Sequence, residues 1–180
     1  MVKRIGRLAL ALFILSQIGA TCHGTETGNP TYSNDQFGVS AEYDSGWNAT
    51  NRAVPLAEDT ANGAPQPTSS GGIDTSSAPS TVFTDGTTTV TLFFVTLSEE
   101  PLSLVAYLNG VFSDRTFEYF SNSSLSGLMY DNPEAGDTGG DRREYYFLKG
   151  TTLLYVVTDL FEANDGFAKF DTLIDSIRFE

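Results

Sequence analysis

The 180-residue chain has one cysteine and one histidine. A single Cys excludes an intramolecular disulfide and any zinc cluster built on thiolates. A lone His, His23, removes most imidazole-dependent catalysis. Ser103, Ser113 and the other serines have no such base to activate them, and no G-x-S-x-G motif is present. Positive charge is scarce as well. Lys and Arg number 10 against 23 Asp and Glu, for a net charge of −13. Three of the basic residues, Lys3, Arg4 and Arg7, lie in the first seven positions. So acidic a surface repels phosphate backbones and excludes nucleic acid as a partner. It also disfavours flat electrostatic attachment to anionic lipid. The longest leading apolar run, Leu8 to Ile18, falls short of the roughly 20 residues a membrane-spanning helix needs. No internal repeat is present, and nothing in the sequence calls for a cofactor.

Apolar residues make up 40 % of the chain and aromatics 12 %, enough for one real core. The first 21 residues combine basic residues, an apolar stretch and the small residues Gly19, Ala20 and Thr21, the three-part layout of an export signal. Cys22 falls where cleavage would leave it first. Gly19-Ala20-Thr21-Cys22 resembles a bacterial lipoprotein lipobox, with Ala20 fitting the pattern and Gly19 and Thr21 departing from it. The expectation is a lipid on the Cys22 thiol, an anchor to a membrane of a bacterial cell envelope. Plain secretion is the alternative. Residues 22–31 lack large apolar side chains and read as a tether.

The single domain is expected over 32–180. Phe37, Val39, Ala41 and Tyr43 alternate with small or polar residues, a strand with one buried face. A second strand is expected near 47–54. Residues 57–80 are rich in Ala, Gly, Ser, Thr and Pro and read as a long mobile loop inside the domain. Asp85-Gly86 and Lys149-Gly150 each mark a hairpin turn. The strands 88–97 and 151–161 are apolar on both faces, so both are central and covered on two sides. Pro101 is expected to open a helix with Ser98, Glu99 and Glu100 as its acidic lead-in, and Leu102, Val105, Asn109 and Phe112, with Leu108 beside them, at helical spacing. Short strands are expected near Phe117 to Phe120 and Leu125 to Tyr130. Phe167, Phe170, Ile174 and Ile177 suit a last helix that runs into a short strand. Tight turns between consecutive strands make the sheet antiparallel. The fold class is therefore α+β, an α/β/α sandwich around an antiparallel sheet.

Particular stretches are similar to PsbP-like domains. Tyr32 to Trp47 resembles their opening strand and Tyr-Pro-Ser-x-Trp corner, with Asp44 where Pro is usual. Pro101-Leu102-Ser103-Leu104 with Tyr107-Leu108 resembles their first helix, and Ser126-Gly127-Leu128 the strand after it. Arg143 to Phe147 and Leu154 to Val157 look like the paired central strands. Phe170-Asp171, Ile174 and Ser176 to Phe179 look like the closing helix and strand. The resemblance implies the same α/β/α sandwich and a non-catalytic role.

Candidate sites are few. Asp131, Asp137 and Asp141, with Asn132 and Glu134, gather oxygen donors in a turn-rich loop, but their spacing is not that of an EF-hand, and a solvated acidic loop is expected. Arg142-Arg143 is expected to pair locally with Asp141 and Glu144. Trp47 is expected to cap the core at the strand corner. Among the tyrosines 119, 130, 145, 146 and 155, those left exposed suit partner binding. Asn48-Ala49-Thr50 and Asn122-Ser123-Ser124 match the glycosylation acceptor pattern, which matters only in a eukaryotic host. The reading is an exported, lipid-anchored, non-catalytic binding or support domain whose partner is an envelope protein or ligand. The alternatives are a secreted carboxylate-dependent hydrolase and a Ca²⁺-stabilised envelope domain.

Overall fold

In the computed structural model, residues 28–52, 73–132, 142–160 and 167–180 are described. A seven-stranded sheet organises them. Its strands are β3 (Asn48–Arg52), β4 (Ser80–Thr84), β5 (Thr88–Thr96), β6 (Glu118–Ser121), β7 (Ser126–Asn132), β8 (Arg142–Lys149) and β9 (Thr152–Leu160). Their spatial order is β3-β4-β5-β9-β8-β7-β6, and every neighbouring pair is antiparallel. β5 and β9 lie at the centre, as their apolar residues on both faces require. Gly86 and Gly150, at φ 94° and 56°, make the two hairpin turns expected at those positions.

A second, three-stranded sheet was not foreseen. β1 (Thr31–Asn34) and β2 (Val39–Glu42) form a hairpin, and β10 (Arg178–Phe179) adds to the far side of β2. Gly38 turns the hairpin at φ 62°, and its carbonyl accepts the Glu180 amide at 2.7 Å. A Cβ there would stand 2.4 Å from the Glu180 carbonyl oxygen, so only Gly allows the two backbones to meet.

One face of the large sheet carries Phe83, Val90, Leu92, Phe94, Tyr145, Phe147, Leu154 and Val156. The small sheet covers it, with a 3-10 turn (Phe167–Phe170) and α2 (Asp171–Ser176). Trp47 packs edge-on against Phe170 with ring centres 5.9 Å apart, capping the core as expected. The opposite face carries Phe93, Leu128, Tyr146, Leu153, Tyr155 and Val157, under α1 (Leu104–Val111), Phe112 and Ile73. These layers make the α/β/α sandwich.

Two expectations are corrected. The helix does not start at Pro101. Ser103 caps it, its hydroxyl accepting the Ala106 amide at 3.1 Å, because a serine oxygen can satisfy an end amide that proline's position cannot reach. The face that packs is then Leu104, Tyr107, Leu108 and Val111, while Leu102 and Val105 are exposed. The loop expected over 57–80 is also not loose throughout. From Ile73 onward the chain is packed: Ile73 is 1 % exposed, the Pro79 carbonyl accepts the Phe94 amide, and Ser80 begins β4. Residues 57–72 lie outside the described residues.

Candidate functional site

Delaying the helix by three residues leaves Ser98, Glu99 and Pro101 outside it as a rim. Between that rim, the end of β5 and the segment after Ile73 lies an open groove of about 580 Å³. That lies within the ~300–1,000 Å³ typical of ligand clefts. Ile73, Ala78, Val95, Leu97 and Tyr107 supply its apolar lining. Asp74 and Glu99 supply two carboxylates, and among the described residues no Lys or Arg lines it. Asp74 is fixed by its own turn: Oδ1 accepts the Ser76 hydroxyl at 2.6 Å and the Ser76 amide at 2.9 Å. The hydroxyl bond first, then the amide bond, holds the Asp74 carboxyl below its ordinary pKa. Burial moves the pKa of the Tyr107 phenol upward.

Beneath Phe112 the same face of the sheet holds a buried ion pair. Glu144 is 0 % exposed, and its Oε2 accepts the Arg115 guanidinium at 2.7 Å and the Tyr146 hydroxyl. Arg115 lies between the Phe112 and Tyr130 rings, 4.1 and 4.5 Å from their centres. Burial acts most strongly, to lower the Arg115 pKa, but the charge and hydrogen bond of Glu144 together with Tyr146 and Tyr155 outweigh it, and the guanidinium is held above its usual value. Tyr146 is pushed far up by burial, with Tyr155 and Glu144 adding to the shift. Tyr146 stacks on Tyr155 at 5.0 Å, and Tyr155 on Phe93 at 5.8 Å. Glu144 Oε1 has no hydrogen-bond partner among the described residues.

Of the two partners expected for the arginine pair, Asp141 lies outside the described residues, and Glu144 is not the ion-pair partner of either arginine. Neighbouring strand residues face opposite ways, so each reaches across its own face of the sheet. Arg142 bonds Asp159 at 2.7 Å, and Arg143 grips Asp131 with two nitrogens while covering the Phe167 ring at 4.2 Å. Glu144, expected beside them, belongs to Arg115 instead. The bond to Asp131 raises the Arg143 pKa.

Asp131 is thereby committed to an arginine. Asp137 and Asp141, its companions in the candidate cation loop, lie outside the described residues, as do Cys22 and His23. Among the described residues no group of three or more His, Cys, Asp or Glu could hold a metal ion. Nor is any helix among them long and apolar enough to cross a membrane. Of the tyrosines, 145, 146 and 155 are core, and Tyr119 on β6 is 86 % exposed. Arg115 and Asp74 are not singled out by the sequence, while Glu144 and Glu99 stand there in other roles, as a partner of the arginine pair and as part of the helix lead-in. The signal for Glu144 was present: a carboxylate alternating with Tyr146 and Leu148 on a strand buried on that face must find a cation.

No family model and no curated protein matches the chain. Two solved structures do match in fold. A crystal structure from Bacteroides thetaiotaomicron VPI-5482 superposes with a TM-score of 0.56 at 9 % identity, over 85 % of this chain and 48 % of that one. The chain thus spans about half the length of the Bacteroides protein. The solution structure of cyanobacterial PsbP (CyanoP) from Synechocystis sp. PCC 6803 gives a TM-score of 0.50 at 13 % identity, over 89 % of this chain and 98 % of that one. The chain has a PsbP-like fold.

Proposed function

We propose, with a PsbP-like fold as the premise, that this chain is a non-catalytic binding or support domain, exported and held to a membrane of the bacterial cell envelope by lipid on Cys22. One observation carries the binding half. The groove beside α1 pairs apolar side chains with the carboxylates of Asp74, oriented by Ser76, and Glu99, a surface suited to holding a partner. The arginines near the sheet are likewise spent internally, on Glu144, Asp159 and Asp131. The leader and Cys22 support the anchoring half. Two acyl chains and a third on the amine would bury many CH₂ groups at about 0.8 kcal/mol each, so the attachment would be lasting.

The test is fractionation with intact-mass measurement of the N-terminus. The wild-type protein is expected in the membrane fraction with a lipidated Cys22, and Cys22→Ser in the soluble fraction. A wild-type terminus starting unmodified at Thr21 overturns the anchor. For the binding half, the protein is screened against glycoside and ester substrates. Turnover that disappears in Asp74→Asn or Glu99→Gln would establish a carboxylate-dependent hydrolase instead.

A further inference from the structure

The groove beside α1 also states what kind of partner it takes. Its apolar lining and its charge act together: Ala78, Val95, Leu97 and Tyr107 offer carbon surface, while Asp74 and Glu99 offer negative charge that no basic residue of the lining compensates among the described residues. An anionic or purely polar ligand would meet like charge or lose water without return. A purely apolar ligand would leave both carboxylates desolvated and unpaired. Only an occupant carrying cations beside apolar groups satisfies both halves. The rim points to a polypeptide rather than a small molecule. Pro101 lines the groove, and the next residue, Leu102, is fully exposed, with Val105 exposed one helical turn away from it. The cleft is open, so a chain can lie along it and continue over Leu102.

We propose that this groove docks a segment of a partner protein in which lysine or arginine alternates with leucine-like side chains. The proposal rests on the non-catalytic binding reading above and names its partner's chemistry. Asp74 and Glu99 would take the cations, and Val95, Leu97 and Leu102 the apolar side chains.

The test uses the protein as isolated from its own cells and three capped nonapeptides, alternating Leu/Lys, Ser/Lys and Leu/Gln, in titration calorimetry. The Leu/Lys peptide is expected to bind, and the other two to bind about tenfold more weakly, since each lacks one half of the contact. Asp74→Asn with Glu99→Gln should weaken Leu/Lys binding about tenfold and flatten its salt dependence. Asp114→Asn with Glu118→Gln, an equal charge change outside the groove, should leave it unaltered. Equal binding of Ser/Lys, or equal loss in the control pair, means general attraction to an acidic surface and overturns the proposal. Equal binding of Leu/Gln overturns its charge half. Binding that appears only after residues 57–70 are removed makes the chain's own segment the occupant and overturns it too. Mass spectrometry of the recovered peptide separates the two readings: an intact, unbound peptide ends the groove proposal alone, whereas a cleaved one ends the non-catalytic reading.

Discussion

At the scale of single residues, small side chains decide where strands can meet. Gly127 on β7 lies under Phe120, which packs edge-on against Tyr145 and Phe147 with centres 4.9 and 5.8 Å apart. A Cβ on Gly127 would stand 2.3 Å from the Tyr146 carbonyl oxygen and 2.6 Å from the Phe147 ring. Gly127→Ala should therefore cost about 1–3 kcal/mol in urea denaturation; no loss would show that β7 can move off β8. Asp85 does a different job. Its burial, slight as it is, acts to raise its pKa, but bonds from the amides and hydroxyls of Thr87 and Thr88 win and hold the carboxyl well below its ordinary value. A depressed folded pKa means the stabilisation is present above the unfolded value of about 3.9 and is lost as pH falls towards the folded one. Asp85→Ala should cost about 1 kcal/mol at pH 7. The gap to wild type should narrow as the pH is taken below about 3.9. A gap constant with pH would mean that the carboxylate charge plays no part. Asn122 shows a motif match put to structural use. Its side-chain amide donates to the Ile174 and Ile177 carbonyls at 3.0 and 3.1 Å, tying the β6–β7 turn to the end of α2, so the acceptor nitrogen of that glycosylation sequence is already engaged.

Among the elements, the closing segment bears most on the layered arrangement. Phe170 is completely buried between Trp47 and the core, at the junction of the 3-10 turn and α2. Phe170→Ala is expected to cost about 3–5 kcal/mol; a loss under about 1 kcal/mol in chemical denaturation would mean that the layer carrying α2 is not packed on the sheet. Elements with strong local rules were legible in the sequence. The period of two in Leu153 to Val157 gave both faces of β9, and the two Gly turns gave their hairpins. Less legible were features that depend on distant chain. β1 has only Tyr32 to bury, and it is a strand because β2 lies opposite. The start of α1 turned on a choice between proline's fixed angle and serine's hydroxyl, which composition alone does not rank. The groove is formed by Ile73, Val95 and Tyr107, from three separate stretches, and no local spacing announces such a meeting. Glu144 could have been singled out, but Arg115 as its partner could not.

At the scale of the molecule, the two cores share one sheet. Leu153 and Leu154 are neighbours on β9, yet each is buried in a different core. Leu153→Ala and Leu154→Ala should each cost roughly 2–5 kcal/mol. Both should lower one common unfolding transition, followed by near-UV and far-UV circular dichroism together. Two separated transitions in either variant would show that the layers melt independently.

The strand order also sets a timetable. β5 has β4 on one side, close in sequence, but on the other it has β9, so Leu92 waits for Val156, and Val39 on β2 waits for Phe179. A chain emerging from the ribosome therefore presents β3, β4 and β5 as an incomplete meander with both apolar faces of β5 uncovered until almost the whole sequence has been made. Its contact order is that of a late and slow folder, on the ms–s scale of sheet-rich domains. Nascent chains stalled before β9 has emerged should be cleaved throughout by a protease, and protection should arrive in one step once β9 and β10 are outside the ribosome. For that interval an export machinery would meet an unfolded thread.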